Sequence, residues 1–299
     1  MIPNSRFDCP APDPNPRRGR FPMPPLATDC HAHVIGPARL YPFVPDRAYT
    51  PPDALLTDYM HVIETLGFQR IVLVQPSMHG TDNTVMLDAL EAARARGING
   101  VAIAGIASGI SDNELKLLHE RGVRGVRVNM VYRGGNAAHI DSTARLAARL
   151  RELGWCLEIL VDVSVFGPEL LSFDKLGVRL VVDHLGHMPA SKGLNDPGFQ
   201  ALLELVRRGN TYVKLSGAYR LAEGPDFPAD NVAALARALV EAGPSRMLWG
   251  TDWPHTMCKI PMPNDGALLD MLADWVPDET TRNAILVDNP AALYGFTRP

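Results

Sequence analysis

The chain has 299 residues, of which 46% are hydrophobic, and a formal net charge of −4. Its basic residues are scattered singly, so they form no positive stripe for nucleic acid, and no apolar run approaches the roughly 18 residues of a membrane span. The four cysteines form no CxxC pair, and the N-terminus does not resemble a secretory signal. We therefore expect a cytoplasmic protein that binds neither nucleic acid nor membrane.

Residues 1–25 form the first distinct stretch, with eight prolines and few large apolar side chains. Proline blocks helix formation, and so little apolar surface cannot build a core, so we predict an extended arm. Residues 26–299 are predicted to form one domain. The arm could reach a neighbouring subunit, which leaves a homo-oligomer open.

From residue 26 onward, short apolar runs alternate with helical patterns that end before a glycine. Strands are predicted at residues 27–33, 70–77, 101–106, 123–129, 156–161, 179–184, 212–216 and 247–252. Helices are predicted at residues 53–66, 82–96, 113–121, 143–153, 196–208 and 231–242. Eight such units predict an α/β fold, a (β/α)8 TIM barrel with its active site at the carboxyl ends of the strands. An open doubly wound sheet is the alternative, but no GxGxxG follows the first strand.

Polar side chains stand at the carboxyl ends of these predicted strands. In chain order they are His31 and His33, Gln75, Ser77 and His79, Arg127 and Asn129, Asp183 and His184, Ser216, and Asp252. Since parallel strands place their carboxyl ends on one rim of a barrel, we expect these groups to converge.

The first and last strands carry the residues best suited to chemistry. His31 and His33 are two apart, so in a strand both imidazoles share one face and can reach one ion. Asp252 ends the last strand, which is the neighbour of the first in a closed barrel. The plain alternatives are a surface pair of histidines and an aspartate that only caps a helix.

Three further segments carry a resemblance to a known family. Residues 74–83 (VQPSMHGTDN), 181–186 (VVDHLG) and 249–255 (WGTDWPH) resemble the amidohydrolase superfamily, and within it the branch of the 2-pyrone-4,6-dicarboxylate lactonases. The likeness runs from about residue 26 to residue 294. It implies a barrel that hydrolyses a small anionic lactone in aromatic or sugar-acid catabolism.

The resemblance also implies catalytic roles. Asp252 would activate water, while His31, His33 and His184 surround the carbonyl that water attacks, which agrees with general-base and oxyanion chemistry. We expect no obligatory metal, because Arg127 stands where other superfamily members place a ligand and a guanidinium cannot bind a cation. The alternative is one zinc or manganese ion at His31, His33 and Asp252.

Substrate-binding residues follow from the same resemblance. Arg127, Arg133 and Arg220 match positions that bind the substrate's carboxylates, and guanidinium groups suit this role because they bind carboxylates bidentately. The remaining expected contacts are Tyr49, Ser77, His79 and His187. His187 replaces an arginine of the family pattern, and Leu160 replaces a polar aromatic residue, so the pyrone dicarboxylate is less expected as substrate. A lactone with one carboxylate, a sulfonate or a sugar-acid ring fits as well.

Other functions remain open at this point. On the same barrel these are a metal-dependent hydrolase or decarboxylase and a lactone isomerase. A non-catalytic barrel that binds a small anion is a hypothesis of a different class, although a binder has no use for a general base. A scaffold role would depend only on the proline-rich arm.

Overall fold

The computed structural model describes residues 6–132, 140–222 and 230–297. The strands in these ranges are β1 Phe7–Asp8, β2 Thr28–Ala32, β3 Tyr49–Thr50, β4 Arg70–Val74, β5 Asn99–Ala104, β6 Val123–Asn129, β7 Cys156–Leu160, β8 Leu180–Val182, β9 Thr211–Lys214 and β10 Met247–Leu248. The α-helices are α1 Leu56–Leu66, α2 Thr84–Ala95, α3 Asp112–Glu120, α4 Ile140–Glu152, α5 Val163–Phe166, α6 Pro197–Arg208, α7 Asp230–Ala242, α8 Asp265–Trp275, α9 Glu279–Asn283 and α10 Asn289–Tyr294.

Eight parallel strands form one sheet in the order β2, β4, β5, β6, β7, β8, β9, β10. Backbone hydrogen bonds then join its two ends, from Cys30 N to the Trp249 carbonyl (2.9 Å) and from His33 N to the Trp253 carbonyl (2.8 Å). A Cβ atom on Gly250 would lie 2.6 Å from His31 N, so glycine is required where these ends meet. The predicted (β/α)8 barrel is confirmed.

The predicted elements agree with the structure best away from the catalytic rim. Strand β6 has the predicted bounds, and helices α1 and α6 end at glycines with φ of 89° and 87°. The last strand is shorter than predicted, because it ends at Leu248 and the chain turns before Asp252. The 3-10 helix Gly167–Leu176 and helix α8 were not predicted.

The inside of the barrel is layered. Its lower part is apolar and includes Cys30, Val72, Val101, Cys156, Val181, Tyr212 and Leu248. Tyr294 and Phe296, after the last strand, pack against this layer. Alternate residues of a strand point to opposite faces, so Arg127, Glu158 and Lys214 lie on the inward face above the apolar layer. The barrel is therefore closed below and polar above.

Residues 6–25 run along the outside of the barrel, from Phe7 beside Tyr49 near its mouth to the amino end of the strands, where Leu26 N donates to Gln69 Oε1. Strand β1 pairs in parallel with β3, and the Arg17 guanidinium lies 2.6 Å from the Asp270 carboxylate on α8. The division into an arm at 1–25 and a barrel at 26–299 remains a prediction. Among the described residues, no helix combines the length and the apolar character needed to cross a bilayer.

Candidate active site

The carboxylate of Asp252 lies fully buried at the carboxyl end of the barrel. Its backbone φ is 65°, a left-handed conformation that non-glycine residues adopt rarely and mainly where surrounding structure holds them. Oδ2 accepts hydrogen bonds from the Tyr219 hydroxyl (2.7 Å) and from Arg220 Nε (2.6 Å). Oδ1 has no hydrogen-bond partner among the described residues. Oδ2 is therefore held in place, and Oδ1 is available to bind water or substrate.

Three histidines surround that available oxygen. Asp252 Oδ1 lies 3.8 Å from His31 Nε2, 4.0 Å from His33 Nε2 and 3.8 Å from His184 Nε2. These separations are too long for direct hydrogen bonds, but they suit one small oxygen species placed between the groups. The structure thus brings together the four residues predicted to be catalytic.

The other ring nitrogen of each histidine has a different partner. His33 Nδ1 lies 2.7 Å from the Val74 carbonyl oxygen, which can only accept, so Nδ1 carries the proton and Nε2 presents a lone pair. His184 Nδ1 lies 2.9 Å from Ser216 Oγ, and His31 Nδ1 lies 3.1 Å from Lys214 Nζ. Each imidazole is therefore oriented by a contact at its Nδ1 atom, as catalytic and metal-binding histidines require.

Electrostatics keep the aspartate ionised and the histidines neutral. Burial alone would raise the pKa of Asp252, but the positive charge of Arg220 and its hydrogen bond hold it well below its usual value. Burial lowers the pKa of His33 to about 4 and the pKa values of His31 and His184 well below 6.5. At neutral pH the site therefore holds one carboxylate and three uncharged imidazoles.

A buried ionic cluster lies next to His31. Lys214 Nζ is 2.5 Å from Glu158 Oε2 and 3.5 Å from Asp183 Oδ1, and Arg127 Nε is 3.0 Å from Asp183 Oδ2. Two cations and two carboxylates balance, which reduces the cost of burying them. Glu158 Oε1 also lies 3.8 Å from Arg127 Nε.

A small cavity opens above the histidines. It is lined by His33, Tyr49, Ser77, Arg127, Asn129, Tyr132, Leu160, His184, Arg220 and Thr256. Two guanidinium groups on a small polar cavity suit an anionic ligand. Their Nε atoms are already paired with Asp183 and Asp252, so a ligand would meet the terminal nitrogens.

The predicted substrate contacts do not all reach this cavity. Tyr49 lines it and accepts a hydrogen bond from Ser77 (3.2 Å). Among the described lining residues, His79 and His187 are absent. His79 instead packs beside Phe43, with ring centroids 5.3 Å apart, and His187 Nε2 lies 3.2 Å from the Tyr132 hydroxyl at the edge of the cavity. Arg133 lies outside the described residues, so its predicted role stays a prediction.

Sequence reasoning missed Lys214 and Tyr219, which touch catalytic groups, and Thr256, which lines the cavity. Lys214 had a signal in the sequence, because it is a lysine inside an otherwise apolar predicted strand. Tyr219 and Thr256 follow strand ends and had no such signal. Their positions depend on loop conformations that the pattern of apolar residues does not encode.

The distances also allow one metal ion. The ligand atoms of His31, His33 and Asp252 lie within 4.8 Å of one another and all three residues are buried. The unpartnered atoms His31 Nε2 and Asp252 Oδ1 belong to this group among the described residues. By spacing alone the three residues fit a divalent ion such as zinc or manganese.

Comparison with known proteins gives a consistent result. The family model described as amidohydrolase matches residues 28–296. The chain is 38% identical to a 4-sulfomuconolactone hydrolase of Hydrogenophaga intermedia (92% of this chain, 91% of the relative) and 39% identical to a 2-pyrone-4,6-dicarboxylate hydrolase of Comamonas testosteroni (94% and 93%). A solved structure from Acinetobacter baumannii with citric acid bound is 27% identical, with a TM-score of 0.80, and the match covers 91% of this chain and 100% of that one.

Proposed function

The chain belongs to the amidohydrolase family, and on that premise we propose that it is a lactonase that opens the ester ring of a small anionic lactone. One observation carries the proposal: Asp252 Oδ1 is unpartnered among the described residues and faces three histidine Nε2 atoms at 3.8–4.0 Å. A small oxygen species between these groups can be both deprotonated and directed. Relatives named as hydrolases of a sulfonated lactone and of a pyrone dicarboxylate support the substrate class.

Asp252 acts as the base in the proposed reaction. Its Oδ1 takes a proton from water while the water oxygen attacks the lactone carbonyl carbon, and the negative charge moves to the carbonyl oxygen. Imidazole N–H groups beside that oxygen stabilise the charge. The ring C–O bond then breaks, and the leaving oxygen takes up the proton, which gives the open-chain acid. Because the pKa of Asp252 is low, the rate depends on the position of the water more than on basicity.

Arg127 and Arg220 bind the anionic end of the lactone in this proposal. Both arginine side chains are less than a tenth exposed on the cavity wall, where a charge-assisted hydrogen bond is stronger than in water. Tyr49, in β3, and Ser77, in the short 3-10 helix after β4, supply hydroxyl groups to the same cavity. The citric acid in the Acinetobacter baumannii structure is an anionic ligand of the same general kind.

The cavity favours a lactone with one anionic group over a dicarboxylate. Leu160 presents an apolar wall, and His187 is engaged with Tyr132. Burial lowers the pKa of His187 to about 4, so it is neutral at pH 7 and adds no positive charge. A sulfonate or a single carboxylate would be held by Arg127 and Arg220.

A metal is not obligatory in the proposed reaction. If zinc or manganese does bind, His31, His33 and Asp252 would hold it, and the ion would supply Lewis-acid activation of water. Hydrolysis by the residues alone needs only a base, oxyanion donors and a good leaving oxygen. The two versions differ in their response to a chelator.

The function is tested by a pH-indicator assay against carboxylated and sulfonated lactones, with and without chelator. We expect ring opening that survives the chelator, and a loss of at least about a hundredfold in kcat for Asp252→Asn because the general base is removed. Asp112→Asn, on the exposed surface of α3, is the matched control and should keep the wild-type rate.

Two results would contradict the proposal. An unchanged rate in Asp252→Asn would remove that residue from its assigned role. If the chelator abolished turnover and added zinc restored it, the metal-free reaction would be wrong although the substrate class could stand.

A further inference from the structure

His31 lies in β2 and His33 just after its end, but the groups that contact their Nδ1 atoms differ in kind. His33 Nδ1 faces the Val74 carbonyl oxygen at 2.7 Å, which accepts only. His31 Nδ1 faces the Lys214 ammonium group at 3.1 Å, which donates only. A neutral imidazole has one N–H and one lone pair. Because the Nδ1 atoms of the two rings face opposite kinds of partner, their Nε2 atoms must be in opposite protonation states.

The charge on Lys214 is held in place by its other neighbours. The side chain is fully buried, and its Nζ lies 2.5 Å from Glu158 Oε2 and 3.5 Å from Asp183 Oδ1. Two carboxylates this close favour the positively charged form of the lysine. Lys214 therefore remains an ammonium group and a donor to His31.

Asp183 is the competing partner, since its Oδ1 lies 3.3 Å from His31 Nδ1. Lys214 is nearer, and Asp183 Oδ1 forms no hydrogen bond of acceptable geometry among the described residues. A proton on His31 Nδ1 would also point at a positive charge 3.1 Å away. The geometry favours acceptance from Lys214 over donation to Asp183.

We propose that Lys214 is a positioning residue that fixes His31 with its proton on Nε2, so that His31 is an N–H donor to the lactone carbonyl oxygen while His33 presents a lone pair. His31 Nε2 is buried and unpartnered among the described residues, as expected of a donor that meets its acceptor only when substrate arrives. The His-x-His pair is then a donor and an acceptor, not two ligands of one ion.

This assignment has a consequence for cations. Ligation by His31 Nε2 requires a lone pair there, so the proton would first have to leave Nε2 and Nδ1 would have to break from Lys214. Lys214 thus opposes metal binding at a site whose spacing alone allows it. The catalytic consequence rests on the proposed lactone hydrolysis, whereas the tautomer and the opposition to metal do not.

Two-bond 15N–1H spectra of histidine-labelled protein test the tautomer directly, with the His31 signals assigned by His31→Gln. We expect Nε2–H for His31 and Nδ1–H for His33 in the wild-type protein. In the double variant Lys214→Met/Glu158→Gln, which removes one cation and one carboxylate together, His31 should change to Nδ1–H and donate to Asp183. Lys192→Met, at an exposed lysine, should leave the spectrum unchanged.

Either of two spectra would overturn the proposal: Nδ1–H for His31 in the wild-type protein, or no change of tautomer in the double variant. Neither spectrum depends on turnover. The tautomer can therefore be tested even if the proposed lactonase activity is wrong.

Kinetics and zinc binding give the remaining readouts on the same double variant. We expect kcat to fall by about tenfold to a hundredfold, as for other groups that orient a catalytic histidine, with KM changed less than about threefold because the arginines still bind the anion. Calorimetric titration with zinc alone should show affinity at least about tenfold higher than for the wild-type protein. A larger loss in KM than in kcat, or equal zinc affinity, would contradict the role of Lys214.

Discussion

The two carboxylate oxygens of Asp252 have different surroundings, and this asymmetry organises the site. Oδ2 accepts from Tyr219 and Arg220, which fixes the plane of the carboxylate. Oδ1 is left for water or substrate among the described residues. Burial raises the pKa of Asp252, but Arg220 holds it well below its usual value, so the carboxylate is ionised at neutral pH.

At the scale of single residues, the catalytic groups were easier to predict from the sequence than the residues that orient them. Asp252, His31, His33 and His184 were predicted from motifs and strand ends, and the structure brings them together. Lys214 stands out as a lysine inside an apolar strand, but the sequence does not show its partner, His31, which lies 183 positions away. Such a contact depends on how the barrel closes, which residue types in one strand do not show.

His187 makes a testable contribution to the pH dependence of stability. Burial lowers its pKa to about 4 in the folded protein, against about 6.5 when unfolded. Between these values the unfolded chain binds a proton that the folded chain does not, so stability is lost as the pH falls from 6.5 to 4. In His187→Gln this contribution is absent, so urea unfolding at pH 7 and pH 5 should show a smaller loss than in the wild-type protein.

The exposed His61→Gln substitution is the control for that measurement and should show the wild-type loss. Equal losses in His187→Gln and wild-type protein would show that burial of His187 does not oppose its protonation.

At the scale of elements, the strand ends depart most from the sequence pattern. The predicted strand at 247–252 ends at Leu248, and the predicted strand at 179–184 ends at Val182. Beyond these ends Asp252 and His184 have φ of 65° and 51°. Neither residue is glycine, so the sequence carries no signal for the left-handed conformation, which the surrounding contacts impose. Residue propensities predict the strands, whereas the catalytic residues lie where tertiary contacts override those propensities.

Strand β1 gives the proline-rich segment a predicted effect on substrate binding. Phe7 N donates to the Ala48 carbonyl (3.1 Å) and Cys9 N donates to the Thr50 carbonyl (2.9 Å), which hold the strand that carries Tyr49. Loss of two backbone hydrogen bonds, about 0.5–1.5 kcal/mol each, corresponds to a rise in KM of about tenfold. Deletion of residues 1–10 should therefore raise KM with little change in kcat, as measured by steady-state kinetics.

Deletion of residues 1–5 alone is the matched control and should leave KM unchanged. If the longer deletion also left KM unchanged, the pairing of β1 with β3 would not position Tyr49.

At the scale of the whole molecule, closure of the barrel is what assembles the active site. Strand β2 carries His31, His33 follows one residue after its end, and the chain after β10 carries Asp252, so the active site exists only when the first and last strands are joined. Asp29 strengthens this junction, because its carboxylate accepts from Thr251 N (2.9 Å) and Thr251 Oγ1 (2.7 Å). The sequence predicted this adjacency from the count of eight strands, since only a closed barrel makes the first and last strands neighbours.

Gly250 offers a direct test of that junction. An added Cβ would lie 2.6 Å from His31 N and 2.7 Å from His31 Cβ, so Gly250→Ala must push the two strands apart. Overpacking of this kind costs about 1–3 kcal/mol, or roughly 3–10 °C in Tm by calorimetry. Because the displaced atoms belong to His31, kcat should fall together with Tm. Gly109→Ala is the matched control, since its Cβ would meet nothing within 4 Å; equal Tm values in both variants would show that the junction tolerates a side chain.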